Sequence, residues 1–215
     1  MEILLSLIKI LHQRLVLTRR DEVLSSKLVY FIPDRASVLD IGCGNGQIGL
    51  YLKQKNPSIT IQGLEVLPRP NCLIECKKFD GLSIPLENSS ADVCVLADVL
   101  HHTLYAKELL EEACRVSRKY VLIKDHLCEN QLDFITLKIM DWIGNRPHGV
   151  KLVYNFLSHA RWLEYFAFCR LTVVEWSQEI PLYLFPINKI VGRNLHFVAL
   201  LQKDPMRGRG ISDPS

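Results

Sequence analysis

Residues 37–49 read Ser-Val-Leu-Asp-Ile-Gly-Cys-Gly-Asn-Gly-Gln-Ile-Gly. Val38, Leu39 and Ile41 form a short apolar run of the kind a buried parallel strand carries. Glycines follow at 42, 44 and 46, and a helical pattern resumes at Gln47 with Ile48, Leu50, Tyr51 and Leu52. A strand, a glycine turn and a helix make a ligand cradle. Glycine lets the backbone approach a ligand closely, and a helix N-terminus presents N–H groups that its own backbone does not use.

The rest of the chain repeats the strand-then-helix alternation. After Asn56-Pro57 stops the first helix, residues 59–66 alternate as a strand and end in the acid Glu65. A weaker strand at 72–79 leads to Asp80-Gly81. Residues 91–97 form a strong apolar strand leading to Asp98, a helix spans 105–116, and a strand at 120–126 ends in Asp125-His126. Helices over 131–143 and 158–169, the second capped by Ser158, precede strands at 171–176 and 195–201. Ahead of all this lies a helical region over 2–31, broken near Thr18, which is expected to cap a second helix, and stopped by Pro33. Such alternation implies an α/β fold, a doubly wound, mostly parallel sheet with helices on both faces. One domain is expected over 1–202, with 203–215 as a flexible polar tail.

A net charge of +3, with basic residues scattered, argues against nucleic acid as a partner. Seven cysteines, an odd number with no C-x-x-C pair, point to a reducing, cytoplasmic setting. Cys72 and Cys76 lack a second ligand pair, so neither a metal nor a redox site is expected there. Ile3, Leu4, Leu7, Ile8, Leu11 and Leu15 lie opposite Lys9, His12, Gln13 and Arg14. That amphipathic segment reads as a helix packed on the domain. The alternative is peripheral membrane contact through residues 1–17. No stretch reaches the roughly 18 apolar residues of a transmembrane helix.

An acid at the end of the second strand suits the ribose of an adenosine ligand. The glycines are spaced G-x-G-x-G, and Gln47 stands where a dinucleotide site places its helix-packing glycine. Asp40, ahead of the glycines, would repel a pyrophosphate and attract a cationic group. Asp40, Glu65, Asp80 and Asp98 all fall at strand ends, with no lysine or arginine among them. That describes a site for a ligand that is not polyanionic.

From Val38 to Gly46 the sequence resembles motif I of class I S-adenosylmethionine-dependent methyltransferases. Asp80-Gly81, the 92–102 segment and the 112–126 segment resemble later motifs of the type 11-like branch. The resemblance implies a Rossmann-like seven-stranded sheet with a final antiparallel strand, and S-adenosyl-L-methionine as cofactor. It places Asp40, Gly42, Cys43, Gly44, Gly46, Gln47, Glu65, Val66, Asp80, Gly81, Ala97 and Asp98 at that cofactor. Glu65 is implied to hold the ribose and Asp80 the adenine amino group. Residues 140–150 are also similar to an uncharacterised subfamily.

Segments 1–33 and 127–165 are left for the acceptor. Their apolar and aromatic content suggests a small or lipid-like molecule, with the latter segment as a lid. The expected reaction is in-line methyl transfer, in which a base is needed only if the acceptor loses a proton. His126, oriented by Asp125, and His102 are the candidates. Because neighbours in an extended chain point to opposite sides, at most one of His101 and His102 is expected to reach the site. Trp142, Tyr154, Phe156, Trp162, Tyr165, Phe166 and Phe168 are read mostly as core, and His148 as a loop residue. No metal is expected, since His101, His102 and His126 lack ligand spacing. The alternatives are a non-catalytic S-adenosylmethionine-binding sensor and an NAD-dependent oxidoreductase. Oligomeric state is left open.

Overall fold

A computed structural model of the chain describes residues 18–145, 152–178, 180–182, 188 and 194–204. In chain order the elements are α1 (Arg19–Val29), β1 (Ser37–Ile41), α2 (Gln47–Lys55), β2 (Thr60–Glu65), β3 (Cys76–Lys78) and β4 (Ala91–Ala97). A 3₁₀ turn (Leu100–His102), α3 (Ala106–Val116), β5 (Ser117–His126), α4 (Gln131–Asn145), α5 (His159–Phe168), β6 (Leu171–Ser177) and β7 (His196–Lys203) follow. The seven strands form one sheet in the order β3-β2-β1-β4-β5-β7-β6. β1 to β5 pair in parallel, and β7 lies antiparallel between β5 and β6.

Strand periodicity divides the core into two layers. Leu39, Ile41, Cys94, Leu96, Val121, Ile123, Phe197 and Ala199 pack with Leu109 and Leu110 of α3 and with Trp162 and Phe166 of α5. Their neighbours Val38, Val93, Val95, Leu122 and Val198 point the other way, onto Leu24 and Leu28 of α1 and Leu52 of α2. Helices therefore cover both faces, which is why the central strands read as unbroken apolar runs. Truncating any of these leucines to alanine is expected to cost about 2–5 kcal/mol.

Several boundaries differ from the sequence reading. Thr18 stands at the N-cap position of α1 with helical dihedrals (φ −61, ψ −47), but its side chain makes no capping bond. β3 is confined to Cys76–Lys78 because the residues before it fold onto the glycine turn. Leu73 N bonds to Asn45 O at 2.9 Å, and a Cβ on Gly46 would meet Ile74 Cγ1 at 2.9 Å. β7 runs through Lys203, one residue past the expected domain limit. The Ser158 cap is present, its hydroxyl accepting from Arg161 N. Residues 1–17, His148 and residues 205–215 lie outside the described residues. Among the described residues, no helix is long and apolar enough to cross a membrane.

Candidate active site at the carboxyl edge of the sheet

The parallel strands end level with one another. Ile41 pairs with both Leu64 and Leu96, and Leu96 with Ile123. The glycine turn projects from this edge. Gly42, Gly44 and Gly46 have φ of 72, 59 and 78, the left-handed region that glycine enters without strain. Gly42 N and Cys43 N both donate to Leu64 O, at 2.8 and 3.1 Å, which ties the turn to β2. A Cβ on Gly42 would strike Val99 Cγ2 at 2.6 Å, whereas one on Gly44 meets no protein atom within 4 Å. The turn is packed on one side and open on the other. Gly46 and Gln47 lead directly into α2.

Three acids serve this cradle differently. Asp40 is only 2% exposed, and its Oδ2 has no hydrogen-bond partner. A Cβ on Gly49 would lie 3.3 Å from that oxygen, so the carboxylate sits beneath the turn, against the opening of α2. Burial first, and then the charge of Glu65, push its pKa up to about 7. Glu65 Oε2 accepts from Gly44 N and Oε1 from Val66 N, each at 2.8 Å. Asp80 Oδ1 accepts from Leu82 N at 2.8 Å and Ser83 N at 2.7 Å, bonds that hold its carboxyl below the ordinary value. Gly81, at φ 87, lies beside Val66 Cγ2, and Ala97 closes β4 opposite Lys124. Behind the turn, Cys43 Sγ lies 3.5 Å from Cys76 Sγ, too far for a disulfide, with Cys72 in the same cluster.

Asp98 departs from expectation. It neither caps a helix nor faces an acid-only site. At φ 58 it turns the chain after β4, and its carboxylate is ion-paired with Arg20 of α1 and Lys124 of β5. The carboxyl edge beyond β4 therefore carries two cations paired to Asp98. Lys124 is fully buried. Burial, followed by the repulsion of Arg20, holds its pKa well below the ordinary lysine value.

Beside Asp98 lies a buried cluster whose members come from five elements. Asp125 accepts from Leu100 N at 3.1 Å, His126 N at 2.8 Å and His101 Nδ1 at 2.7 Å. Burial alone would raise the Asp125 pKa, but His101 and His126 reverse this and hold it well below the usual carboxylate range. His101 is likewise opposed by burial, yet Asp125 and Asp141 raise its pKa. His102 is pushed down to about 4, by burial and then by His101. His126 is driven well below the ordinary histidine value by burial and by Lys124. His196 joins from β7 because it pairs in register with His126, and its Nδ1 lies 3.4 Å from Lys124 Nζ.

Asp125 was expected to orient His126, but its closest imidazole partner is His101; His126 Nδ1 lies at 3.3 Å. Both adjacent histidines reach the cluster. Residues 100–102 form a 3₁₀ turn instead of an extended segment, which brings the two rings to 4.0 Å between centroids. Asp141, Arg20 and His196 were missed, since each arrives from a distant helix or strand with no local motif. Of the aromatic residues, Trp162 and Phe166 are core, at 1% exposure each. Phe156 instead stacks on His101 at 5.5 Å and meets His126 edge-on at 5.7 Å.

Comparison with known proteins agrees with this geometry. Residues 39–122 match the family model described as Methyltransferase domain, of type 11. No protein of curated function matches the chain. Among solved structures, the complex of the Haloferax volcanii Trm112 methyltransferase activator with a putative methyltransferase contains a similar chain. That chain is 16% identical, with coverage of 92% of this chain and 93% of that one, at a TM-score of 0.65. A putative sarcosine dimethylglycine methyltransferase from Galdieria sulphuraria is 19% identical over 86% of each chain, at 0.61. A geranyl diphosphate methyltransferase in complex with S-adenosylmethionine is 11% identical over 85% of each chain, at 0.65. Asp40, buried with an oxygen left over beneath an open glycine turn, fits a ligand with a cationic end. The family match runs across the cradle and β4 to residue 122, so this part of the chain is similar to a methyltransferase domain, and S-adenosylmethionine is the cofactor that likeness implies.

Proposed function

We propose that the acceptor is a small amphiphilic molecule whose nucleophile is a hydroxyl attached to an apolar body. The observation that carries this reading is the shared face of the histidine–aspartate cluster and an aromatic wall. Phe156 contacts the rings of His101 and His126, and Phe134 and Tyr154 extend the wall at 6.1 and 6.2 Å from Phe156. Polar groups and apolar rings in one surface suit an acceptor with one wet end and one dry end.

The cofactor would be held by the glycine turn (Gly42, Cys43, Gly44, Gly46), Gln47, Val66, Gly81 and Ala97. Asp40 would meet its cationic amino end, Glu65 its ribose hydroxyls and Asp80 its adenine amino group. Glu65 can do so without releasing Gly44 N or Val66 N, because each carboxylate oxygen has two lone pairs. When bound, the cofactor supplies a methyl carbon made electrophilic by a cationic sulfur. The chain contributes orientation, holding the acceptor's oxygen in line, and orientation can supply much of the barrier reduction. Asp125 acts by position, fixing His101. His126 is neutral at pH 7, so it keeps a lone pair for the polar end of the acceptor.

A radiolabelled-methyl assay tests this on paired acceptors, prenyl or short acyl alcohols against fully polar polyols. Label is expected in the amphiphiles only; equal or preferential labelling of polyols would overturn the reading. Calorimetry should show binding of S-adenosylhomocysteine and none of NAD.

A further inference from the structure

Three ligand-type atoms converge beside the cluster: His101 Nε2, His102 Nε2 and Asp141 Oδ1. The carboxylate oxygen is 3.8 Å from the first and 3.7 Å from the second, beyond hydrogen-bond reach, and the set lies within 4.8 Å. We propose that His101, His102 and Asp141 form a binding site for a divalent transition-metal cation, with Asp125 as the positioning residue for His101.

Four observations support it. First, the spacing suits a cation. Ligand bonds of about 2.0–2.1 Å in a tetrahedral site put neighbouring ligand atoms about 3.3–3.4 Å apart. Closing the two separations from Asp141 Oδ1 to that value takes a shift of a few tenths of an ångström, and the two imidazole nitrogens lie within 4.8 Å of each other. Second, the donors are two imidazoles and one carboxylate, a set that suits Zn²⁺ or Fe²⁺ and leaves further positions open. Third, the outer support is in place. In the neutral ring, His101 Nδ1 donates to Asp125 Oδ1 at 2.7 Å, which leaves Nε2 as the nitrogen with a lone pair. A carboxylate behind a ligating histidine is the usual means of fixing its tautomer and ring plane. Asp125 is itself held by Leu100 N and His126 N. Fourth, the site lies on the face that meets the aromatic wall, since the His101 ring is the one stacked on Phe156.

A competing set is closed off. Asp98, His101 and His126 also approach one another, but there His101 Nδ1 is engaged by Asp125 and Asp98 by Arg20 and Lys124. The open nitrogen of His101 faces Asp141. What the cation does rests on the hydroxyl reading above: it would bind the acceptor oxygen and ease loss of its proton to water, after which the methyl carbon–sulfur bond breaks as the carbon–oxygen bond forms. Its binding does not rest on that reading.

The test is a titration of chelator-stripped full-length protein with Co²⁺, without donor or acceptor, read by visible absorption. One Co²⁺ per chain is expected, displaced by Zn²⁺. The ligand-field spectrum should lack the strong near-ultraviolet bands of thiolate ligands. His102→Gln and Asp141→Asn should each weaken binding by at least 100-fold. Asp125→Asn should weaken it about 10- to 100-fold, as removal of an outer partner does. Retained S-adenosylhomocysteine binding certifies the fold of each variant. Absence of saturable binding would overturn the site, as would binding that survives His102→Gln and Asp141→Asn. A thiolate spectrum abolished by Cys43→Ser would also overturn it, moving the site to the cysteine cluster. If Co²⁺ binds as expected while no amphiphilic alcohol is methylated, the acceptor reading fails and the metal site stands.

Discussion

Over β1 to β3 the strand-end acids bond to backbone or to nothing; over β4 and β5 they bond to other side chains as well. Glu65 and Asp80 accept from N–H groups within or beside their own turns, and Asp40 keeps an oxygen without a partner. Asp98 and Asp125 are instead embedded among Arg20, Lys124, His101 and His126. The first half is a shell of backbone donors and carboxylates, which the proposed cationic ligand would complete. The second half has balanced its own charges, so it is expected to govern stability as much as chemistry.

The largest expected effect follows from that difference. Asp125→Ala leaves Leu100 N, His126 N and His101 Nδ1 without their acceptor in a buried site, at a cost of about 3–5 kcal/mol. Because the carboxyl is held below its ordinary value, its contribution is present above about pH 4 and is lost as pH falls through the folded value. Urea denaturation at pH 7.5 checks this. A loss below about 1 kcal/mol would mean that the two halves are equally local.

Asp40 is expected to behave in the opposite way. Its carboxyl keeps its proton to about pH 7 in the folded chain but loses it near 3.8 when unfolded. The unfolded state thus binds fewer protons between those values. Stability falls as pH rises through that window, by about 1.4 kcal/mol for each pH unit crossed. Asp40→Asn should therefore stabilise the cofactor-free protein at pH 8 by about 2–4 kcal/mol while weakening S-adenosylmethionine about 10-fold or more. Wild-type affinity should rise with pH up to about 7 and then level, because a cation favours the ionised acid; the variant should be flat. Calorimetry across pH 6–8, paired with thermal melts, reads both. Equal stability at pH 8 would show that Asp40 is not held at a cost.

The same contrast explains what was legible beforehand. The glycine turn, the parallel strands and the place of Asp40 could be read because a buried parallel strand, a turn requiring positive φ and a helix start each leave local marks. Asp141 and His196 could not. Asp141 is one acid in the apolar pattern of α4, and His196 enters only because β7 reverses and pairs with the end of β5. The His101–His102 reading failed because alternation was assumed where the chain makes a 3₁₀ turn. Arg20 carried no local mark of its role, because its ion pair with Asp98 spans 78 positions.

Glu65→Gln should have a moderate effect confined to the cradle. Glutamine keeps one acceptor oxygen, so either Gly44 N or Val66 N loses its partner. The expected cost is about 1–2 kcal/mol in the denaturation midpoint and about tenfold in S-adenosylhomocysteine affinity. Loss of stability without loss of affinity would mean that Glu65 only braces the turn.

Arg20→Met should have the smallest effect on stability, and it bears on whether the two halves communicate. Its guanidinium is partly exposed and also bonds Asp21, while Asp98 keeps Lys124. Methionine retains much of the apolar stem, so the loss should be about 1 kcal/mol or less. The charge change should nonetheless be felt deeper in. Arg20 is the nearest cation depressing the Lys124 pKa, so its removal lets buried Lys124 hold its proton to higher pH. Lys124 in turn presses down on His126, which should then fall further from its ordinary value. NMR titration of the His126 ring in wild type and Arg20→Met checks this order of effects. An unchanged His126 with a destabilised fold would make Arg20 a brace for α1, whereas a shifted His126 with an unchanged fold would make α1 part of the acceptor half.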